Sequence, residues 1–81
     1  MTSADEARLT NVFRAIFKRA DLVLRDELTA RDVPGWDSLN HINLIIQTEQ
    51  EFRIRFSNAE VTTLRNVGDL KRLIDVKLAR S

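Results

Sequence analysis

Apolar residues recur along this chain at spacings of three and four, the pattern of helices with one buried face. Leu9, Val12, Phe13, Ile16, Phe17 and Ala20 form one such stripe and predict a first helix from about Ala4 to Ala20. Ser3 and Glu6, three apart at its start, read as a capping box in which two side chains satisfy orphan amides. Arg8, Arg14, Lys18 and Arg19 fall mostly off the stripe and are expected to form a solvated face. A denser apolar pattern follows Ser38 and predicts a second helix from Ser38 to about Phe52, with Asp37 as its N-cap. Ser57 and Glu60 repeat the capping-box spacing and predict a short third helix that Thr62 and Thr63 end. Val67, Leu70, Leu73, Ile74 and Leu78 predict a fourth, starting near Asn66, whose side chain can cap. No stretch alternates with the period of a strand, and nothing repeats. The expected fold is all-α: a small four-helix bundle with three longer helices and one short one, as a single domain over residues 1–81.

Residues 21–36 are a long connection for so small a domain, and such loops are often functional. Leu22, Val23, Leu24, Leu28 and Val33 alternate with charged residues there, so the loop is expected to pack on the bundle. A helical turn is expected near Leu22 to Arg25. Pro34-Gly35 then punctuates the chain just before the second helix.

The second helix is apolar over a wider arc than one lying on a small bundle needs. At about 100° per residue, Leu44, Ile45 and Phe52 share one side. Leu39, Ile42 and Ile46, with Glu49 among them, continue round to an adjoining face. Asn40, Asn43, Gln47, Gln50 and Glu51 fill the rest. The arc divides naturally into a core face and a partly exposed ridge, and an exposed apolar ridge marks a binding surface.

Composition narrows the chemistry. Apolar residues make up 43% of the chain, which suits a folded domain rather than a disordered segment. With no cysteine there is no disulfide, no thiolate catalysis and no thiolate-bound metal, and a single histidine, His41, gives no zinc site. No metal centre is expected. No apolar run has membrane-spanning length, and the acidic N-terminus lacks a signal-peptide core, so a cytoplasmic protein is expected. Net charge is only +1, but residues 32–51 hold four acids (Asp32, Asp37, Glu49 and Glu51) and no lysine or arginine. That local acidity favours a basic docking partner and disfavours nucleic acid, for which the second helix offers no basic residue.

Ser38 opens the second helix, behind the Gly35-Trp36-Asp37 turn. A serine there is most simply a cap or a solvated hydroxyl. A phosphodiester on it would lie where the helix dipole and free N–H groups favour negative charge. Gly35 can take backbone angles closed to other residues, which lets an enzyme come close. His41 lies one turn along the helix without an acid to orient it, so a hydrolytic triad is not supported and no catalytic residue is expected. Trp36 is expected to pin the loop to the bundle, His41 to be half-buried with one hydrogen bond, and Arg53, Arg55 and Arg65 to be a solvated face.

Asp37-Ser38-Leu39 and the apolar helix after it resemble the phosphopantetheine attachment site of acyl carrier proteins. Glu49 to Phe52, Ile54 and Phe56, and Asn66-Val67-Gly68-Asp69-Leu70 extend the resemblance from the first helix to about Ile74. It implies a carrier rather than an enzyme. A phosphopantetheinyl transferase would move 4'-phosphopantetheine from coenzyme A to Ser38 with a magnesium ion, and Asp37 would help orient that reaction. The arm's thiol would then hold acyl groups as thioesters for acyl-loading and acyl-processing enzymes with basic docking surfaces. Leu39, Ile42, Ile46 and Glu49 match positions often used in docking, and such domains usually work as monomers.

This chain also departs from the fatty-acid-synthesis carriers of that family. It is near neutral where they are strongly acidic. Asn40, Asn43, Gln47 and Gln50 stand where they often place acids, Thr48 where a larger apolar residue is frequent, and Arg53 where glycine is frequent. These departures point to a dedicated fatty-acid, lipid or polyketide-type pathway. The alternatives are an aminoacyl or peptidyl carrier, or a helical adaptor that kept the fold without an arm.

Overall fold

A computed structural model describes residues 1–80. Its elements are α1 (Ser3–Phe17), α2 (Ser38–Phe52), α3 (Asn58–Thr62) and α4 (Val67–Arg80), with no strand among the described residues. The all-helical bundle read from the apolar spacing is the observed architecture.

The helix ends follow their caps. Asp37 accepts the Asn40 amide at 2.8 Å and starts α2 at Ser38, as expected. Ser57 and Glu60 form the full reciprocal capping box on α3. Asn66 Oδ1 accepts the Asp69 amide at 2.8 Å at the start of α4. At α1 the cap is Thr2, whose hydroxyl oxygen accepts the Asp5 amide, and not Ser3. The helix also stops three residues short of the expected Ala20. Lys18 turns into the left-handed region at φ 54° and closes the end with its amide on the Arg14 carbonyl.

The expected helical turn over Leu22 to Arg25 is absent, with hydrogen-bonded turns only on either side, closed by the Leu22 amide on Arg19 O at 3.3 Å and the Leu28 amide on Arg25 O at 3.0 Å. The carbonyls that would propagate it are taken by distant side chains: Leu22 O accepts from Arg14 Nε at 2.9 Å, and Leu24 O from Lys71 Nζ at 3.2 Å. The loop packs on the bundle through Leu22, Leu28 and Val33, buried beside Phe13, Leu9, Leu44 and Ile74, and through the half-buried Leu24, whereas Val23, also expected to pack, is 65% exposed. Each such side chain, fully withdrawn from water, contributes about 1.5–3 kcal/mol.

Two backbone bonds fasten this loop to α4. Val67 N donates to Leu28 O at 2.9 Å and Gly68 N to Asp26 O at 2.8 Å. The second contact needs glycine, because a Cβ on Gly68 would lie 3.1 Å from both the Cβ and the carbonyl oxygen of Asp26. Lys71 adds a clamp, its ammonium bonding Glu6 Oε1 at 3.1 Å and Asp26 Oδ1 at 3.2 Å. Partial burial pulls the lysine pKa down, but the two carboxylates outweigh it and hold the pKa above its ordinary value.

Candidate functional site

The turn before α2 is built to present its first residue. Gly35 has φ 90°, a conformation that side chains resist. Its carbonyl accepts from Asn40 Nδ2 at 2.7 Å and from the Asp37 amide at 2.9 Å, tying the turn to the helix it precedes. Asp37 caps α2, and the Asp37 carbonyl accepts the His41 amide at 2.8 Å. Ser38 therefore stands at the first helical position, exposed, with no hydrogen bond to its hydroxyl among the described residues. The amides of Ser38 and Leu39 belong to the first turn, which has no carbonyls one turn earlier to accept them.

Trp36 anchors this turn. Its ring packs edge-on to Phe13 at 5.5 Å, lies 5.7 Å from Phe17, and stacks on His41 at 6.2 Å. Its indole N–H donates to His41 Nδ1 at 3.1 Å. That bond requires Nδ1 unprotonated and puts the proton of a neutral ring on Nε2. With Nδ1 engaged by Trp36, no acid orients His41 toward Ser38, and the pair lacks the geometry of an activated nucleophile.

A groove of about 550 Å³ opens beside the serine, lined among others by Trp36, Ser38, His41, Ile42, Leu64 and Arg65. An exposed hydroxyl at a helix start, on the rim of a mostly apolar groove that also holds a guanidinium, fits a group with an anionic phosphodiester and a less polar continuation. Leu64 and Arg65 reach this groove from the α3–α4 junction. Nothing local in the sequence marks them as neighbours of Ser38, because they arrive there through folding.

Along α2 the ridge faces outward: Leu39 is 68% exposed, Ile42 56% and Ile46 44%. Leu44, Ile45, Thr48 and Phe52 face the core. Thr48 is fully buried, and its hydroxyl donates to the Leu44 carbonyl at 2.7 Å, so its own helix satisfies it. Glu49 is half-buried and uses Oε2 to accept the Phe56 amide at 2.9 Å, which makes it the least available of the four ridge residues.

The expected acidic face is not what folding assembles. Glu51 pairs with Arg8, whose Nε donates to Oε2 at 2.9 Å while the guanidinium lies 4.6 Å over the Phe52 ring. The Asp32 carboxylate accepts the Thr29 amide and hydroxyl, which hold its pKa below the ordinary carboxylate value. Arg65 shares a groove with Ile42, and Arg53 and Arg55 share one with Ile46. The ridge is thus flanked by both signs of charge. Counting charges along residues 32–51 missed arginines that lie later in sequence and return beside α2.

No protein-family model and no curated protein sequence matches the chain. Solved structures do. The chain is similar to the holo acyl carrier protein from Geobacter metallireducens, at 45% sequence identity and a TM-score of 0.88, with 94% of this chain and 87% of that one covered. It is also similar to a Mycobacterium tuberculosis protein described as an acyl carrier protein, at 28% identity and a TM-score of 0.79, covering 89% of this chain and 96% of that one. With that identity over nearly the whole chain, the protein belongs to the acyl carrier protein family and is a carrier rather than an enzyme.

Proposed function

We propose that Ser38 carries 4'-phosphopantetheine and that the protein delivers acyl groups bound to it. The observation that carries this reading is the exposed, unpartnered Ser38 hydroxyl at the first position of α2, behind the Asp37 cap. In loading, Ser38 Oγ bonds to phosphorus as the pyrophosphate P–O bond of coenzyme A breaks. Adenosine 3',5'-bisphosphate leaves, and the hydroxyl proton passes to the transferase. Asp37 holds the helix start in place, and the α2 dipole and first-turn amides stabilise the new negative charge. Once bound, the group supplies a thiol on a long flexible arm for thioester transport. The holo state of the Geobacter metallireducens relative supports this reading.

The proposed partners are a phosphopantetheinyl transferase and acyl-loading and acyl-processing enzymes that dock on Leu39, Ile42 and Ile46. The flanking arginines favour partners whose rim carries both signs of charge rather than a purely basic one. The near-neutral net charge of +1 supports service in a dedicated fatty-acid, lipid or polyketide-type pathway. We read residues 1–81 as one carrier domain that works as a monomer. No helix of the described residues is long and apolar enough to cross a membrane.

Intact mass tests the attachment. The purified protein is incubated with coenzyme A, magnesium and a broad-specificity transferase, beside a Ser38→Ala variant whose fold is checked by circular dichroism. One phosphopantetheine added to the wild type alone is the expected result. Addition to Ser38→Ala would place the site elsewhere. No addition to either protein, with a second transferase also tried, would leave the armless adaptor.

A further inference from the structure

We propose that Arg65 is the counter-ion of the phosphodiester formed at Ser38, a positioning residue that holds the near end of the arm in the groove between α2 and the α3–α4 junction. The inference rests on attachment at Ser38 and goes beyond it by assigning a partner to the phosphate.

Arg65 and Ser38 line the same groove, and no other cationic side chain among the described residues lines it. The Arg65 guanidinium makes no ion pair and no side-chain hydrogen bond among the described residues. Arg8, Arg14, Arg19, Arg25 and Arg72 all do. The charge of Arg65 helps hold the Asp69 carboxyl low, behind the larger effects of the Arg65 amide and of Arg72, but Asp69 Oδ1 is already bonded to Arg72. The Arg65 backbone is fixed, because its amide donates to Asp69 Oδ2 at 3.1 Å just before α4. A free head on a fixed stem therefore borders the groove, as it borders the two beside it.

Loading creates the need for it. The phosphodiester is anionic and forms beside the exposed Asp37 carboxylate, so like charges are brought together at the start of α2. The helix dipole offsets part of that repulsion. A guanidinium, which presents paired N–H donors to two phosphate oxygens, offsets more and also gives the phosphate an orientation. Leu64, in the same groove, would offer an apolar contact to the less polar part of the arm.

The test uses the loaded protein, with loading read by intact mass. Phosphorus-31 NMR follows the phosphodiester, and proton–nitrogen spectra follow the Arg65 side chain before and after loading. In the wild type, loading should shift the Arg65 Nε–H signal, and the phosphorus line should be broader than that of a free pantetheine phosphodiester. Arg65→Gln should narrow the line severalfold. Arg65→Lys should restore part of the breadth, and Arg55→Gln, at the far end of α2, should change nothing. Added salt should narrow the wild-type line and leave Arg65→Gln unaffected, a response that a merely structural role would not give. Full loading with the same phosphorus line in wild type and Arg65→Gln overturns the assignment of Arg65 alone. No loading of the wild type overturns attachment and this inference together.

Discussion

Residues 18–37 and residues 53–66 both run past the start of α2, but they are held by different forces. The first buries Leu22, Leu28 and Val33 and is fastened to α4 through Val67 and Gly68. The second buries Ile54 and then contains α3, none of whose residues is buried. Only Val61 of α3 packs against the core, half-buried, and polar contacts add to it: the Ser57–Glu60 capping box, and an ion pair of 2.8 Å from Lys77 to Glu60. The groove at Ser38 takes Trp36 from the first connection and Leu64 and Arg65 from the second. The first connection is thus fastened through buried side chains, and the second is latched nearer the surface, where local opening costs less, although Trp36 and Leu64 are both half-buried against the core.

Substitutions on either side test that contrast. Leu28→Ala should do most, since it opens a cavity under the buried connection: a loss of about 2–4 kcal/mol in denaturant unfolding and of about 10 °C or more in Tm. Gly68→Ala should follow, at about 1–2 kcal/mol, because its methyl meets the Asp26 backbone and strains the Gly68–Asp26 bond. An effect near zero would mean that the loop yields easily and that its fastening is weaker than its geometry suggests.

On the latched side the sign of the pH response is the test. The Glu60 carboxyl is held below its ordinary value first by the Lys77 ammonium and then by the Ser57 amide. The folded protein therefore binds that proton less readily than the unfolded chain does. The contribution is present above the ordinary glutamate pKa of about 4.3 and is lost as pH falls through the lower folded value. Asp32 and Asp69, also held low, act in the same direction. Thermal unfolding followed from neutral pH into the acid range should fall less steeply for Glu60→Gln than for the wild type. Arg53→Gly should have the smallest effect and should stabilise, by about 0.5 kcal/mol. Arg53 begins the second connection in the left-handed region at φ 55°, which glycine enters without strain. A denaturation midpoint that moves down would show that the Arg53 side chain contributes more than its backbone costs.

Most of the fold was legible because its signals are local. Asp37, Ser57 with Glu60, and Asn66 each act within three residues, and each marked a helix start correctly. The end of α1 was hidden because Lys18, and not a glycine, takes the left-handed turn. Its start was ambiguous because Thr2 and Ser3 can both cap. The missing turn near Leu22 was illegible for another reason: Arg14 and Lys71 claim the carbonyls from a distance. The site divides the same way. The outward ridge follows from the period of one helix and the Asp37 cap from local spacing, whereas Ser38 is singled out only by the resemblance to carriers. Arg65, and with it the mixed charge around the ridge, emerges only when a later segment folds back. The likeness to carriers carried the functional reading well beyond what an exposed serine at a helix start alone supports.

Trp36 has a practical consequence. It is the only tryptophan, and the chain has no tyrosine. Light absorbed beyond the phenylalanine band is therefore emitted by a single indole, two residues from Ser38 and in contact with His41. The protein carries its own optical reporter beside Ser38, the proposed attachment site, so events at that end of α2 can be followed without adding a dye.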